Sequence, residues 1–174
     1  MVTEDTRQRL VSYLEHQAKK DAPALIDLIE GSRTRLIAIL DGVSEEQAAF
    51  KPAPDQWSIA DVVRHVIAAE EGVARIAESL AQGVVPDGKR LLGSQIPDEG
   101  QSLSALVRRL RAARAHLLET VRAWPASPDV EAKFEHPFFG PLDCKAWLTF
   151  QRVHDLDHTG QIEQVKAADG YPDG

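Results

Sequence analysis

Gln151-Arg152-Val153-His154-Asp155-Leu156-Asp157-His158-Thr159-Gly160-Gln161 is the stretch on which the reading of this chain turns. His154 and His158 stand four apart in a segment of helical pattern. At about 3.6 residues per turn that spacing stacks both imidazoles on one face. Adjacent turns can then aim two ring nitrogens at a common point, which suits two ligands of one metal ion. Trp147, Phe150, Ile162 and Val165 share the face, so the histidines are expected to point inward, with Gln151 and Gln161 flanking them. Polar groups inside an apolar stripe need partners, because each one buried unpaired costs about 1–3 kcal/mol. The same spacing also occurs on ordinary helices carrying two surface histidines, and both readings stay open on spacing alone.

The chain has 174 residues, enough for one domain that buries its own core without disulfides or a structural metal. A net charge of −7 and a pI near 5.3 argue against nucleic acid or an anionic membrane as partner. The single cysteine, Cys144, cannot form an internal disulfide, which fits a reducing compartment. Met1 to Lys20 is charged throughout and lacks the apolar core of a signal peptide. No apolar run reaches the roughly 18 residues that a membrane span needs. The expectation is a cytoplasmic protein.

Upstream of the histidine pair the pattern is helical almost throughout. Thr3 to Lys20 reads as a short amphipathic helix with Leu10, Tyr13, Leu14 and Gln17 on one side. Asp21 and Pro23 open a second helix, and Asp41-Gly42 closes it. Ser44-Glu45-Glu46-Gln47 has the form of a capping box over one short turn. After the proline-rich loop at Lys51–Asp55, Ser58 with Asp61 opens a long helix that ends at Gly83. Four long helices are thus predicted near residues 23–41, 58–82, 101–124 and 142–168, the last capped by Asp143. Gly83–Gly100 and Pro125–Pro141 are long connections, and Lys133 to Phe139 in the second is expected to be extended. The fold class is all-α: a four-helix bundle with long crossover loops, a core of about residues 23–168 and a helical extension at 1–20. No repeat or interdomain linker divides residues 1–174, so a single domain is expected.

His65 lies on the core-facing stripe of the second long helix with Val62, Ala69, Gly72, Ile76 and Leu80. Alone it reads as a core histidine; beside His154 and His158 it would complete a three-imidazole set with an open position. That convergence requires the two helices to be neighbours. Asp61, one turn before His65, could orient its other ring nitrogen, and Gln151, Asp157 and Gln161 are the further residues placed to hold the histidines. Glu70 and Glu71 fall off the His65 face and are expected in solvent. Arg108, Arg109, Arg111 and Arg114 read as the wet face of the third long helix, with anion binding as the alternative. A di-iron carboxylate site is disfavoured, since only Asp155-x-x-His158 approaches the Glu-x-x-His pattern. A zincin-type protease is disfavoured too: Asp155 stands where His-Glu-x-x-His needs Glu, and it points partly away.

Trp57-Ser58-Ile59-Ala60-Asp61-Val62-Val63-Arg64-His65-Val66 resembles the opening of the second helix in the DinB-like superfamily. His136-Pro137-Phe138-Phe139-Gly140-Pro141-Leu142, followed by Trp147 and by His154-x-x-x-His158-x-x-Gln161-Ile162, is similar to that family's C-terminal signature. The resemblance covers roughly Ile26 to Ala167. It implies a four-helix bundle whose metal is held by three histidines, carried over here onto His65, His154 and His158. One divalent ion is expected, zinc or nickel first and iron or manganese next. Relatives that transfer bacillithiol or mycothiol imply a metal-dependent enzyme, a thiol-linked transferase or a hydrolase, with a low-molecular-weight thiol or another small molecule as substrate. The alternative is a non-catalytic bundle that serves as a binding or stress-related interaction module. No nucleophile or strong general base stands out beside the three histidines. His136 could line the pocket mouth or stabilise a turn. The resemblance, with Leu10, Tyr13 and Leu14 in need of cover, implies a homodimer.

Overall fold

The computed structural model describes residues 3–87 and 100–173. Among these residues lie six helices, α1 Glu4–Gln17, α2 Ala22–Ala38, α3 Glu45–Ala49, α4 Ile59–Ala81, α5 Leu103–Arg122 and α6 Cys144–Lys166, with one hairpin, β1 Phe134–His136 and β2 Gly140–Leu142, between α5 and α6. Each helix starts where a short polar side chain can satisfy a free N–H. Thr3, Asp21, Ser44, Ser58, Ser102 and Asp143 all accept from the amide three residues on. Ser44 with Gln47 and Ser58 with Asp61 close full capping boxes. Gly42, Gly83 and Gly170 follow the helix ends with φ of +75°, +76° and +80°, a conformation that side chains with a Cβ resist.

The four long helices form a ring. α6 packs against α2 and α4, α4 also lies along α5, and α5 closes on α2. At one end Ile59, Val62, Leu103, Leu106 and Ile162 share a cluster with Leu36 and Leu40. At the other, Leu80 meets Trp147, and Leu25 meets Leu117, Val121 and Leu148. These pairings make α4 and α6 antiparallel neighbours, which is the condition for His65 to meet His154 and His158. Each fully buried Leu or Ile contributes about 1.5–3 kcal/mol relative to exposure, so the core does not depend on a metal. The end of α4 and the start of α5 lie at opposite ends of the bundle. Residues 88–99 of the expected crossover fall outside the described residues.

Two expectations are corrected. The second long connection is extended only through His136; the chain then turns and returns as β2, with Phe134 opposite Leu142 and His136 opposite Gly140. Trp147 Nε1 donates to Phe134 O at 3.2 Å and ties this hairpin to α6. The apolar side of α1 is largely covered inside the chain: Leu14 is fully buried, and Leu10, Val11 and Tyr13 pack against the same cluster. Among the described residues no helix is long and apolar enough to cross a membrane.

Candidate metal centre

α4 delivers His65 and α6 delivers His154 and His158 to one point. His154 Nε2 lies 3.1 Å from His65 Nε2 and 3.1 Å from His158 Nε2. One donor atom from each ring falls within 4.8 Å of the others, the arrangement of a set that could hold a metal ion. Nitrogens about 2.0–2.1 Å from a tetrahedral zinc stand roughly 3.3 Å apart, so the spacing and chemistry of these donors fit such an ion. His154 and His158 are buried and His65 is half-buried. Trp57, just before the N-cap of α4, covers two of the rings, with centroids 5.0 Å from His65 and 6.4 Å from His158, the latter nearly parallel at 16°. His158, Gln161 and Trp57 border a cleft of about 580 Å³ together with Asp55, Gln56 and Gln164.

Burial keeps two of the rings unprotonated. Burial, with His158 nearby, lowers His65 to about 4. Burial also pushes His154 well below the ordinary histidine value, assisted by His158, His65 and the Arg33 guanidinium. Gln161 Oε1 lies 2.8 Å from His158 Nδ1; since that oxygen can only accept, the His158 proton sits on Nδ1 and Nε2 offers its lone pair. Gln161 is thus hydrogen-bonded to the histidine it was expected to flank. Gln151, one turn before His154, is fully buried, and both its carboxamide atoms and His154 Nδ1 lack a hydrogen-bond partner.

The other residues expected to hold the histidines face elsewhere. Asp61 accepts from Ser58 N–H and pairs with Lys51 at 3.1 Å and Arg64 at 3.0 Å, so its carboxylate serves the start of α4 rather than His65. Asp157 is exposed and borders a groove with Leu10, Tyr13 and Arg152 on the α1 side of α6. His136 stabilises a turn: its Nδ1 accepts from Phe138 N–H at 3.1 Å and Phe139 N–H at 3.2 Å. Its ring lies 4.6 Å from Phe150, whose own ring is 5.2 Å from His154. His136 is thus buried one aromatic ring away from the centre.

Beneath the histidines lies a polar cluster that overturns two further expectations. Glu70 and Asp155 are fully buried, and Arg33 and Arg114 are nearly so. Arg33 pairs with Glu70 at 2.8 Å and with Asp155 at 2.9 Å. Arg114 pairs through Nε with Glu70 and through Nη2, at 3.0 Å, with Asp155. Spare donors reach the carbonyls of Leu110 and Ile29, and Ser32 Oγ lies 3.0 Å from Asp155 Oδ2. One member comes from each of α2, α4, α5 and α6. Glu70 is buried, not solvated, because the direction off the His65 face points at α5 and α2. Arg114 leaves the wet face of α5 for the same reason, while Asp155 points away from the histidines, as expected, and into this cluster. Arg109 does lie outside and pairs with Glu71 at 3.3 Å. A sequence signal existed: Ile67, Glu70 and Ala74, or Leu110, Arg114 and Leu117, show a charge interrupting an apolar stripe.

Comparison with known proteins agrees with this fold. The model of the DinB superfamily matches residues 28–162. The uncharacterized protein YuaE of Bacillus subtilis (strain 168) is 23% identical over 147 residues, 73% of this chain and 88% of its own length. The crystal structure of TT2238, a four-helix bundle protein, superposes with a TM-score of 0.63 at 26% identity, covering 82% of this chain and 98% of that one. The family match runs from within α2 to within α6 and takes in His65, His154 and His158, and the chain belongs to the DinB superfamily.

Proposed function

We propose that this chain is a divalent-metal-dependent enzyme in which His65, His154 and His158 hold one ion through their Nε2 atoms. The observation that carries the reading is the convergence of three ring nitrogens from two helices, with two separations of 3.1 Å, beside an open cleft. Three imidazoles suit zinc or nickel, with iron or manganese next. When bound, such an ion lowers the pKa of a coordinated thiol or water. The chain's own residues prepare the donors and admit the substrate. Gln161 holds the His158 proton on Nδ1, burial keeps His65 and His154 neutral, and Trp57 shields the rings from bulk water. Asp55 is the carboxylate that borders the cleft. The reaction class is thiol-linked transfer or hydrolysis on a small molecule.

A second reading, a non-catalytic bundle acting as a binding or stress-related interaction module, draws support from the packing of Trp57 over two of the three rings, which narrows access. Metal analysis of protein purified without a histidine tag, followed by turnover of a low-molecular-weight thiol with an electrophile, separates the two. Stoichiometric metal with turnover that His158→Ala abolishes supports the enzyme; a metal-free, inactive protein refutes it. We propose further that the protein is cytoplasmic, given one buried reduced cysteine, and homodimeric. Sedimentation at 19.1 kDa at micromolar concentration would refute the dimer.

A further inference from the structure

We infer that the buried quartet of Arg33, Glu70, Arg114 and Asp155 positions the histidines: it fixes the rotation of α6 against α4, so that His154 and His158 meet His65. The inference deepens the metal reading and rests on it for one of its two measurements. Stability alone gives little reason for the quartet, since a buried ion network replaced by packed apolar residues is often as stable or more so. Its directionality gives a better one. Each guanidinium bridges both carboxylates, with one partner on α4 and one on α6. α4 and α6 are also the helices that carry the histidines. Asp155 directly follows His154, and Glu70 lies five residues beyond His65.

The lever arm makes this coupling tight. Side chains extend about 5–6 Å from a helix axis, so a rotation of about 10° moves a ring nitrogen by about 1 Å. A metal donor set tolerates only about 0.2 Å. Apolar ridges slide through such a rotation with small loss, because dispersion has no direction. Hydrogen bonds of 2.8–3.0 Å to fixed guanidinium forks do not. The carbonyls of Ile29 and Leu110 hold the forks in place from α2 and α5, and Ser32 Oγ donates to the Asp155 carboxylate.

The test replaces the quartet with apolar residues of similar volume: Arg33→Met, Glu70→Leu, Arg114→Met and Asp155→Leu together. Two quantities are measured. Nuclear Overhauser contacts between the His65 ring protons and those of His154 and His158 are recorded in metal-free protein, and zinc affinity is measured by chelator competition. We expect a helical, cooperatively folding variant whose ring contacts weaken and whose zinc affinity falls by about 10–100-fold. Ring contacts and affinity equal to wild type overturn the inference. Should the fourfold variant not fold, Arg33→Lys, which keeps the charge but loses the fork, decides by the same two measurements, with a several-fold fall expected. Wild type that binds no zinc, yet shows ring contacts that the variant loses, refutes the metal reading and upholds the positioning role. Wild type and variant binding zinc equally with unchanged contacts refutes the positioning role alone.

Discussion

Metal affinity should depend on pH far less than a three-histidine site on a protein surface would allow. A ligand nitrogen must be unprotonated to bind, so protons compete with the ion below the histidine pKa. For a ring of ordinary pKa near 6.5, taking the pH from 7 to 5 costs roughly 25-fold in affinity, and three such rings would lose about four orders of magnitude. His65, lowered to about 4 by burial and by His158, stays neutral across that range and contributes a factor of only about 1.1. His154, pushed well below the ordinary histidine value mainly by burial, also stays neutral. With His65 and His154 held neutral, the total should fall well short of four orders of magnitude. The loss carried by His65 should begin near pH 4, not in the window of 6 to 7 that an unperturbed histidine would give. Zinc titrations against a chelator of known pH-dependent affinity, from pH 7 to pH 5, measure this directly. A loss of three orders of magnitude or more would show that the rings are solvated and the buried centre is wrong.

His158→Ala should cut metal affinity sharply while the far-UV circular dichroism and cooperative melt persist, since the core closes without it. Gln161→Leu, which removes the partner of His158 Nδ1, should cost about 10–100-fold in affinity, whereas Asp157→Asn, exposed and facing α1, should change it little; isothermal titration of both distinguishes them. Glu70→Leu removes one of the two carboxylates that Arg33 and Arg114 share, leaving two buried guanidinium groups on Asp155 alone, and should destabilise by about 3–5 kcal/mol, read by urea melts, while adding Arg114→Met should recover part of the loss. His136 is lowered to about 4 by burial, so its contribution is complete above about pH 6.5 and is lost as pH falls toward 4, on the order of 3 kcal/mol. Protonation would also turn its Nδ1 acceptor into a donor facing two N–H groups. His136→Asn should therefore flatten the stability–pH curve between pH 7 and 4, and an unchanged curve would refute this account.

Local chemistry was enough to read the helices, their caps and the histidine pair. Asp21, Ser44, Ser58 and Asp143 cap helices because each can reach an amide three residues on, which is a matter of a few bonds. His154 and His158 share a face by helical geometry alone, and Gln161, one turn after His158, is bound to reach its ring. Resemblance of the Trp57–Val66 and His136–Ile162 stretches brought His65 into the set. What no local pattern contains is the direction in which a neighbouring helix lies. Asp61 sits one turn from His65, but Lys51 and Arg64 lie nearer to its carboxylate. Glu70, Arg114 and Asp155 were legible only as charges interrupting apolar stripes. Their burial followed once α4 and α6 each packed against two helices, which widened the protected arc beyond a single stripe. Charges at that level, one from each helix, could enter the core only by meeting one another. That mutual neutralisation depends on all four helices at once, and so only the tertiary structure decided it.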